Sequence, residues 1–183
     1  MNYTQNNKIA QVKESTLVVG IDVGSEFHFA RAFDWRGFEL SRRVFKFSNT
    51  GMGFLMFLRW TEEIMNKTEM KKVIVGCEPT GCYWLTFQKF LQDHEIQLVT
   101  VNPFTVNRSM ELDDNSPEKS DLKDPKTIAL LVKDGRYSTS YLPSGVYAEI
   151  REASVCRDQI MKQHVRLSNQ IQGWLQKFFP EYF

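Results

Sequence analysis

The chain has little cysteine: three in 183 residues, Cys77, Cys82 and Cys156, with no paired ligand spacing. That excludes a disulfide scaffold, and an odd, sparse count suits a reducing cytoplasm. Histidine is as scarce, and His28, His94 and His164 fall at no metal-binding spacing. Neither sign of charge dominates, since 23 Lys and Arg face 22 Asp and Glu for a net charge of +1. With no overall basic footprint, any contact with nucleic acid must run through local patches. No apolar run reaches membrane-spanning length, and Met1 to Glu14 is polar with no signal-peptide core. That start, about residues 1–15, is expected to be flexible and without fixed structure. Repeats and low-complexity tracts are also absent. What is present is a 42% hydrophobic fraction, ordinary for a globular protein and enough for the core of one domain.

The stretch Leu17-Val18-Val19-Gly20-Ile21-Asp22-Val23-Gly24-Ser25 organises the rest. A short β-branched run closed by a glycine turn reads as a strand buried on both faces, in the middle of a helix-covered sheet. Phe27 to Phe33 reads as a second strand in a hairpin with the first, and about Ser41 to Phe47 as a third. Ser48-Asn49-Thr50 offers N-caps for an amphipathic helix over about Gly51 to Asn66. Lys72 to Cys77 is a fourth strand, Tyr83 to Leu91 a helix with one apolar face, and Ile96 to Val101 a fifth strand stopped by Asn102-Pro103. The order is βββαβαβ, in which a crossover lets the fourth strand lie parallel to the first. Short helices are expected at Phe104 to Met110 and Ser120 to Asp134, separated by a polar loop from Asp113 to Lys119. Tyr137 to Pro143 is irregular or briefly extended. From Gly145 to Phe179 no proline intervenes, and Val146, Ile150, Ala153, Ile160, Val165, Ile171, Trp174, Leu175 and Phe178 fall roughly on one stripe. That is a single helix too long for this domain to cover, which suggests a coiled-coil arm or dimer contact. The aromatic-rich end, Trp174 to Phe183, suggests a cut through a longer protein.

Acids mark the candidate site. Asp22 closes the first strand and Glu78 the fourth, each followed by a glycine turn. Two readings of Asp22 stand at this point: a metal ligand on a central strand, or an acid that bonds the following turn. If the two strands are parallel neighbours, both carboxylates emerge at the carboxyl edge of the sheet, where ligand sites gather. Asp121 and Asp124 are three apart and would share a helix face. Pro125 favours Asp124 as an N-cap beside a proline at the first helical position, with Asp121 a solvated acid. A cap and a metal ligand are compatible, since a carboxylate has several lone pairs. Four converging carboxylates repel one another, and hard divalent cations such as Mg²⁺ or Mn²⁺ relieve that repulsion. Two such ions ~3.5–4 Å apart can drive phosphodiester displacement without any histidine. Lys119, Lys123 and Lys126 lie near these acids, and either neutralise phosphates or are simply solvated. Arg42, Arg43 and Lys46 form another small basic patch. His28 lies close to Asp22 along the hairpin. Trp84 and Tyr83 read as core residues.

Gly20-Ile21-Asp22-Val23-Gly24, Glu78-Pro79-Thr80-Gly81, Val101-Asn102-Pro103 and Lys119-Ser120-Asp121-Leu122-Lys123-Asp124 together resemble the DEDD insertion-sequence transposases. That group includes the Piv-type DNA invertases and bridge-RNA-guided recombinases. The resemblance runs from about Thr16 to Tyr141. It implies a ribonuclease-H-like (RuvC-like) α/β domain over residues 16–143, a mixed five-stranded sheet flanked by helices. It also implies a long C-terminal helical arm over residues 144–183. Asp22, Glu78, Asp121 and Asp124 are implied as the metal-binding tetrad for two Mg²⁺ or Mn²⁺ ions. The implied function is DNA strand cleavage and exchange in transposition, guided by a structured RNA. A serine from a second, C-terminal domain outside these residues would complete the site, which is assembled between protomers. DNA, guide RNA and a second copy of the chain are the implied partners, in a bacterial cytoplasm at the nucleoid. The family often carries Thr, Arg and Ala where this chain has Ser120, Leu122 and Pro125. Three other readings stand beside it: a stand-alone RuvC-type junction nuclease, a non-catalytic RNA-binding or dimerisation fragment, and an actin-like sugar kinase or ATPase suggested by Gly-Ile-Asp-Val-Gly-Ser.

Overall fold

The computed structural model describes residues 5–79, 81–113, 124–141, 143 and 145–182. It divides into two compact units, Met1–Ser140 and Tyr141–Phe183. In the first unit, β1 (Thr16–Val23), β2 (Phe27–Phe33) and β3 (Phe45–Ser48) form an antiparallel meander. Helix α2 (Gly51–Thr68) then crosses over so that β4 (Lys72–Cys77) pairs parallel to β1. Helix α3 (Tyr83–Asp93) does the same for β5 (Gln97–Thr100), parallel to β4. The order β3-β2-β1-β4-β5 is that of a ribonuclease-H-like sheet, as the βββαβαβ succession implied.

Parity along β1 divides the core in two. Leu17, Val19, Ile21 and Val23 face α2 and α3, packing with Phe47, Phe54, Phe57, Phe87 and Leu91. Val18, on the other face, packs with Ile74, Val99, Ile128, Ala129 and Val132. The last three of these belong to α5 (Asp124–Lys133), which follows α4 (Pro103–Asp113). Thr50 caps α2 by accepting from the Gly53 amide at 3.2 Å, and Asn102 accepts from the Phe104 amide at 2.9 Å just before Pro103 opens α4. Both are the local bonds that Thr and Asn make at helix starts.

The structure departs from expectation in four places. The sheet has six strands, not five, because β6 (Ser138–Thr139) pairs antiparallel to β5. Residues 5–9 form a short helix, α1 (Gln5–Ile9), where no fixed structure was expected. It is tied down by side chains: Gln5 Nε2 donates to the Asp134 carbonyl at 2.9 Å, and Lys8 Nζ donates to that of Tyr137. β3 starts at Phe45 rather than Ser41, because Glu39 bridges to Phe33 and is held by Arg31 at 2.6 Å. The Ser41 hydroxyl takes the Ala32 amide there, so the chain leaves the ladder before rejoining it. Tyr83 is exposed rather than core, while Trp84 is buried. The helix expected over Ser120 to Asp134 is described from Asp124 onward, and residues 114–123, which hold the rest of that expected helix and most of the expected Asp113 to Lys119 loop, lie outside the described residues.

The second unit is dominated by α6 (Val146–Phe178), 33 residues with none buried, followed by a short 3-10 turn at Pro180–Tyr182. No helix among the described residues is long and apolar enough to cross a membrane.

Candidate active site

Two strand ends and one helix start meet at the candidate site. Gly20 and Gly76 are register partners on the parallel strands β1 and β4. The last pair of that ladder is Ile21 with Cys77, so one step on Asp22 stands beside Glu78. Side chains alternate along a strand. Asp22 therefore shares the α5 face with Val18 and Gly20, and Glu78 shares it with Ile74 and Gly76. Neighbouring strands lie about 4.8 Å apart, which puts the two carboxylates within reach of one ion. Both residues are half-buried at the carboxyl edge of the sheet.

Helix α5 reaches this edge because Gly20 has no side chain. A Cβ there would lie 1.9 Å from the Pro125 carbonyl oxygen and 2.6 Å from the Ala129 amide nitrogen. The first turn of α5 thus sits directly on β1, two residues from Asp22. Asp124 opens that helix, next to Pro125. The backbone therefore brings Asp124 toward Asp22 and Glu78. The direction of the Asp124 side chain is outside the described set, as are Asp121, Lys119 and Lys123. Lys126 is exposed in the first turn of α5. Among the described residues no three His, Cys, Asp or Glu side chains cluster closely enough to hold a metal. The oxygen-only donors Asp22 and Glu78 suit a hard divalent cation.

The neighbouring groups narrow the chemistry. Burial first, and then the charge of Glu78, push the Cys77 thiol up to about 12. It therefore stays protonated and is no nucleophile at neutral pH. His28, near Asp22 along the hairpin, faces away from it. It pairs with Val23 and shares the α2–α3 face with Ala30 and Ala32. Its ring lies among Phe47, Phe54 and Phe87 at centroid distances of 5.1, 6.1 and 5.7 Å. Neither ring nitrogen meets a hydrogen-bond partner. Burial lowers its pKa, which the nearby Asn49 side chain and Phe27 backbone soften without reversing. His28 is a core residue. Sequence reasoning missed Gly20 and Gly76, the positions that let α5 approach the acids, and their signal was a glycine two residues before each acid.

The fold and the paired strand-end acids define a ribonuclease-H-like α/β protein with an acidic edge. The model of the IS110-type DEDD transposase family, described as transposase, matches residues 19–180, and the chain belongs to that family. Among curated proteins there is no match. Among solved structures the chain is similar to Thermus thermophilus RuvC in complex with a Holliday junction substrate. Identity there is 13% and the TM-score 0.44, over 68% of this chain and 99% of that one. It is also similar to the ethanolamine utilization protein EutJ from Carboxydothermus hydrogenoformans. Identity in that case is 16% and the TM-score 0.33, over 54% of this chain and 41% of that one.

Proposed function

We propose that this chain is the metal-binding catalytic domain of a DNA transposase or recombinase, with Asp22, Glu78, Asp121 and Asp124 holding two Mg²⁺ or Mn²⁺ ions. The observation that carries this reading is the Asp22–Glu78 pair on neighbouring parallel strands, with the start of α5 seated on Gly20 beside it. Membership of a transposase family agrees with it. Bound divalent ions would supply an activated attacking oxygen and stabilise the leaving oxygen of a phosphodiester. The chain's own part is to hold the acids at fixed spacing. Lys119, Lys123 and Lys126 would neutralise flanking phosphates.

The reaction would be completed elsewhere in the assembly, by a serine from a second domain and with a structured RNA choosing the target. Two copies of the chain would pair through α6. Val146, Ile150, Ala153, Ile160, Leu167, Ile171, Trp174 and Phe178 fall at alternating steps of four and three, with Arg157 and His164 at the remaining positions. That is the seam of a two-stranded coiled coil, and most of its apolar members are exposed in the single chain.

Calorimetry with Mn²⁺, with and without DNA, tests the site. The unsubstituted chain should bind metal, and Asp22→Asn or Glu78→Gln should each lose at least tenfold in affinity, about 1.4 kcal/mol. Each variant should stay folded, because removing one of two adjoining carboxylates relieves repulsion. Metal binding that neither substitution changes would refute the site.

A further inference from the structure

On the proposed metal site rests a second one. We propose that Phe27, Phe29 and Lys46 form a subsite for an unpaired nucleotide of the DNA strand whose phosphodiester is cut. The ladders supply the placement. Asp22 pairs with Phe29 across β1 and β2, and Phe29 pairs with Lys46 across β2 and β3. Directly opposed residues point to the same face, so Glu78, Asp22, Phe29 and Lys46 form one row over four strands. Lys46 lies two strand spacings from Asp22, about 10 Å. The row runs out at β3, the edge of the sheet.

The chemistry of the row suits a nucleotide. Phe27 keeps 41% of its surface exposed, beside half-buried Phe29. The Lys46 ammonium lies 3.9 Å from the Phe27 ring centre and 5.7 Å from that of Phe29. Lys46 has no carboxylate partner among the described residues, and its ammonium rests over two ring faces at the solvent-exposed edge. A cation over an exposed ring is a weaker contact than a base stacked on it or a phosphate beside the ammonium. An incoming nucleotide therefore displaces the ammonium from the ring, and the ammonium keeps the phosphate. Exposed Arg42 and Arg43, just before β3, extend the positive charge toward the same edge. Stacking needs a base free of its own neighbours, which is why the occupant is an unpaired flank and not continuous duplex.

Fluorescence anisotropy of the 183-residue chain tests this, with three probes: a blunt DNA duplex, the same duplex with a short single-stranded DNA extension, and one with an RNA extension. Phe27→Leu should weaken binding of the DNA-extended probe about tenfold, ~1.4 kcal/mol, and leave the blunt duplex unchanged. Phe27→Tyr, which keeps the ring, should restore it. Lys46→Gln should lower the salt-dependence slope on the extended probe by about 0.7, and Lys46→Arg should not. Lys46 is exposed, so that pair stays informative even if Phe27→Leu fails to fold. Equal losses on blunt and extended DNA, no loss at all, or a preference for the RNA extension would each overturn the subsite. Mn²⁺ calorimetry on the same variants separates the two proposals. Normal metal binding with no change in DNA discrimination sinks the subsite alone, and no metal binding by the unsubstituted chain sinks the site beneath it.

Discussion

Gly20→Ala is the sharpest probe of how α5 is delivered to the acids. The added Cβ would sit 1.9 Å from the Pro125 carbonyl oxygen, 2.6 Å from the Ala129 nitrogen and 3.0 Å from the Ala129 Cβ. The two nearest atoms are backbone, so no side chain can rotate away. Real Cβ atoms essentially never come within 3.0 Å of another heavy atom, so the start of α5 must retreat by about 1 Å. Overpacking of this kind costs about 1–3 kcal/mol. For a chain of this length that corresponds to roughly 2–12 °C in melting temperature. The consequence for the site is larger. Metal–ligand distances hold to within about 0.2 Å, so a retreat of about 1 Å would take Asp124, a ligand in the proposed site, out of range. Gly76→Ala is the control. Its Cβ would meet Val132 Cγ2 at 2.3 Å and Ile128 Cγ2 at 3.3 Å, which are side-chain tips farther along α5. Both variants should therefore melt lower, but only Gly20→Ala should lose Mn²⁺ affinity by tenfold or more. An unchanged melting temperature for Gly20→Ala would refute the close contact. A lowered one with intact metal affinity would remove α5 from the site.

Three further outcomes follow from particular side chains. His28→Leu removes two buried nitrogens that lack partners, and should stabilise the fold by up to about 1 kcal/mol at neutral pH. The folded pKa of His28 lies below its ordinary 6.5, so unfolded chains bind the extra proton first. Stability of the unsubstituted chain should fall as pH drops below 6.5, and the variant's advantage in denaturant melts should widen there. Asp34 is the opposite kind of group. Burial would raise its pKa, but the Phe38 amide at 2.8 Å and Arg36, through its side chain and amide, outweigh that and lower it. Its contribution is complete above its ordinary 3.8 and is lost as pH falls through the lower folded value. Asp34→Asn should cost about 1–2 kcal/mol in urea melts at pH 7, with the gap closing below pH 3.8. Ile160→Asp would bury a charge at the centre of the proposed seam of α6. Sedimentation equilibrium should show pairing weakened more than a hundredfold, about 3 kcal/mol or more. Unchanged self-association would place the contact elsewhere.

What could be read in advance follows the strength of the local signal. β2 and β4 occupy the expected residues because each is a continuous apolar or alternating run closed by a turn. β6 could not be foreseen, since Ser138 and Thr139 carry no pattern and extend only through ladder bonds to Val99 and Thr100. α1 is similar: five polar-rich residues have little intrinsic helicity, and bonds to carbonyls more than a hundred residues away hold them. His28 was open to simple counting. It stands two positions before Ala30 and four before Ala32, so it belongs to their face and not to that of Phe29. The acids at the ends of β1 and β4 were legible because both strands were, together with their parallel relation. How closely the start of α5 approaches β1 was not, because a glycine in a strand has several meanings.

The two strands carry one device twice. Gly20 precedes Asp22 by two residues, and Gly76 precedes Glu78 by two. Register places the glycines side by side, and the next residues on that face are the acids. Filling either glycine position would collide with α5, through Pro125 and Ala129 at one and through Val132 and Ile128 at the other. The glycine pair is thus the trough in which α5 lies, and the acid pair is its open end. The depth of the trough sets how near the start of the helix comes to the carboxylates. Packing and chemistry here share one variable, the distance between α5 and the sheet. If the proposed tetrad forms the site, a substitution that leaves all four acids in place would therefore still disable it.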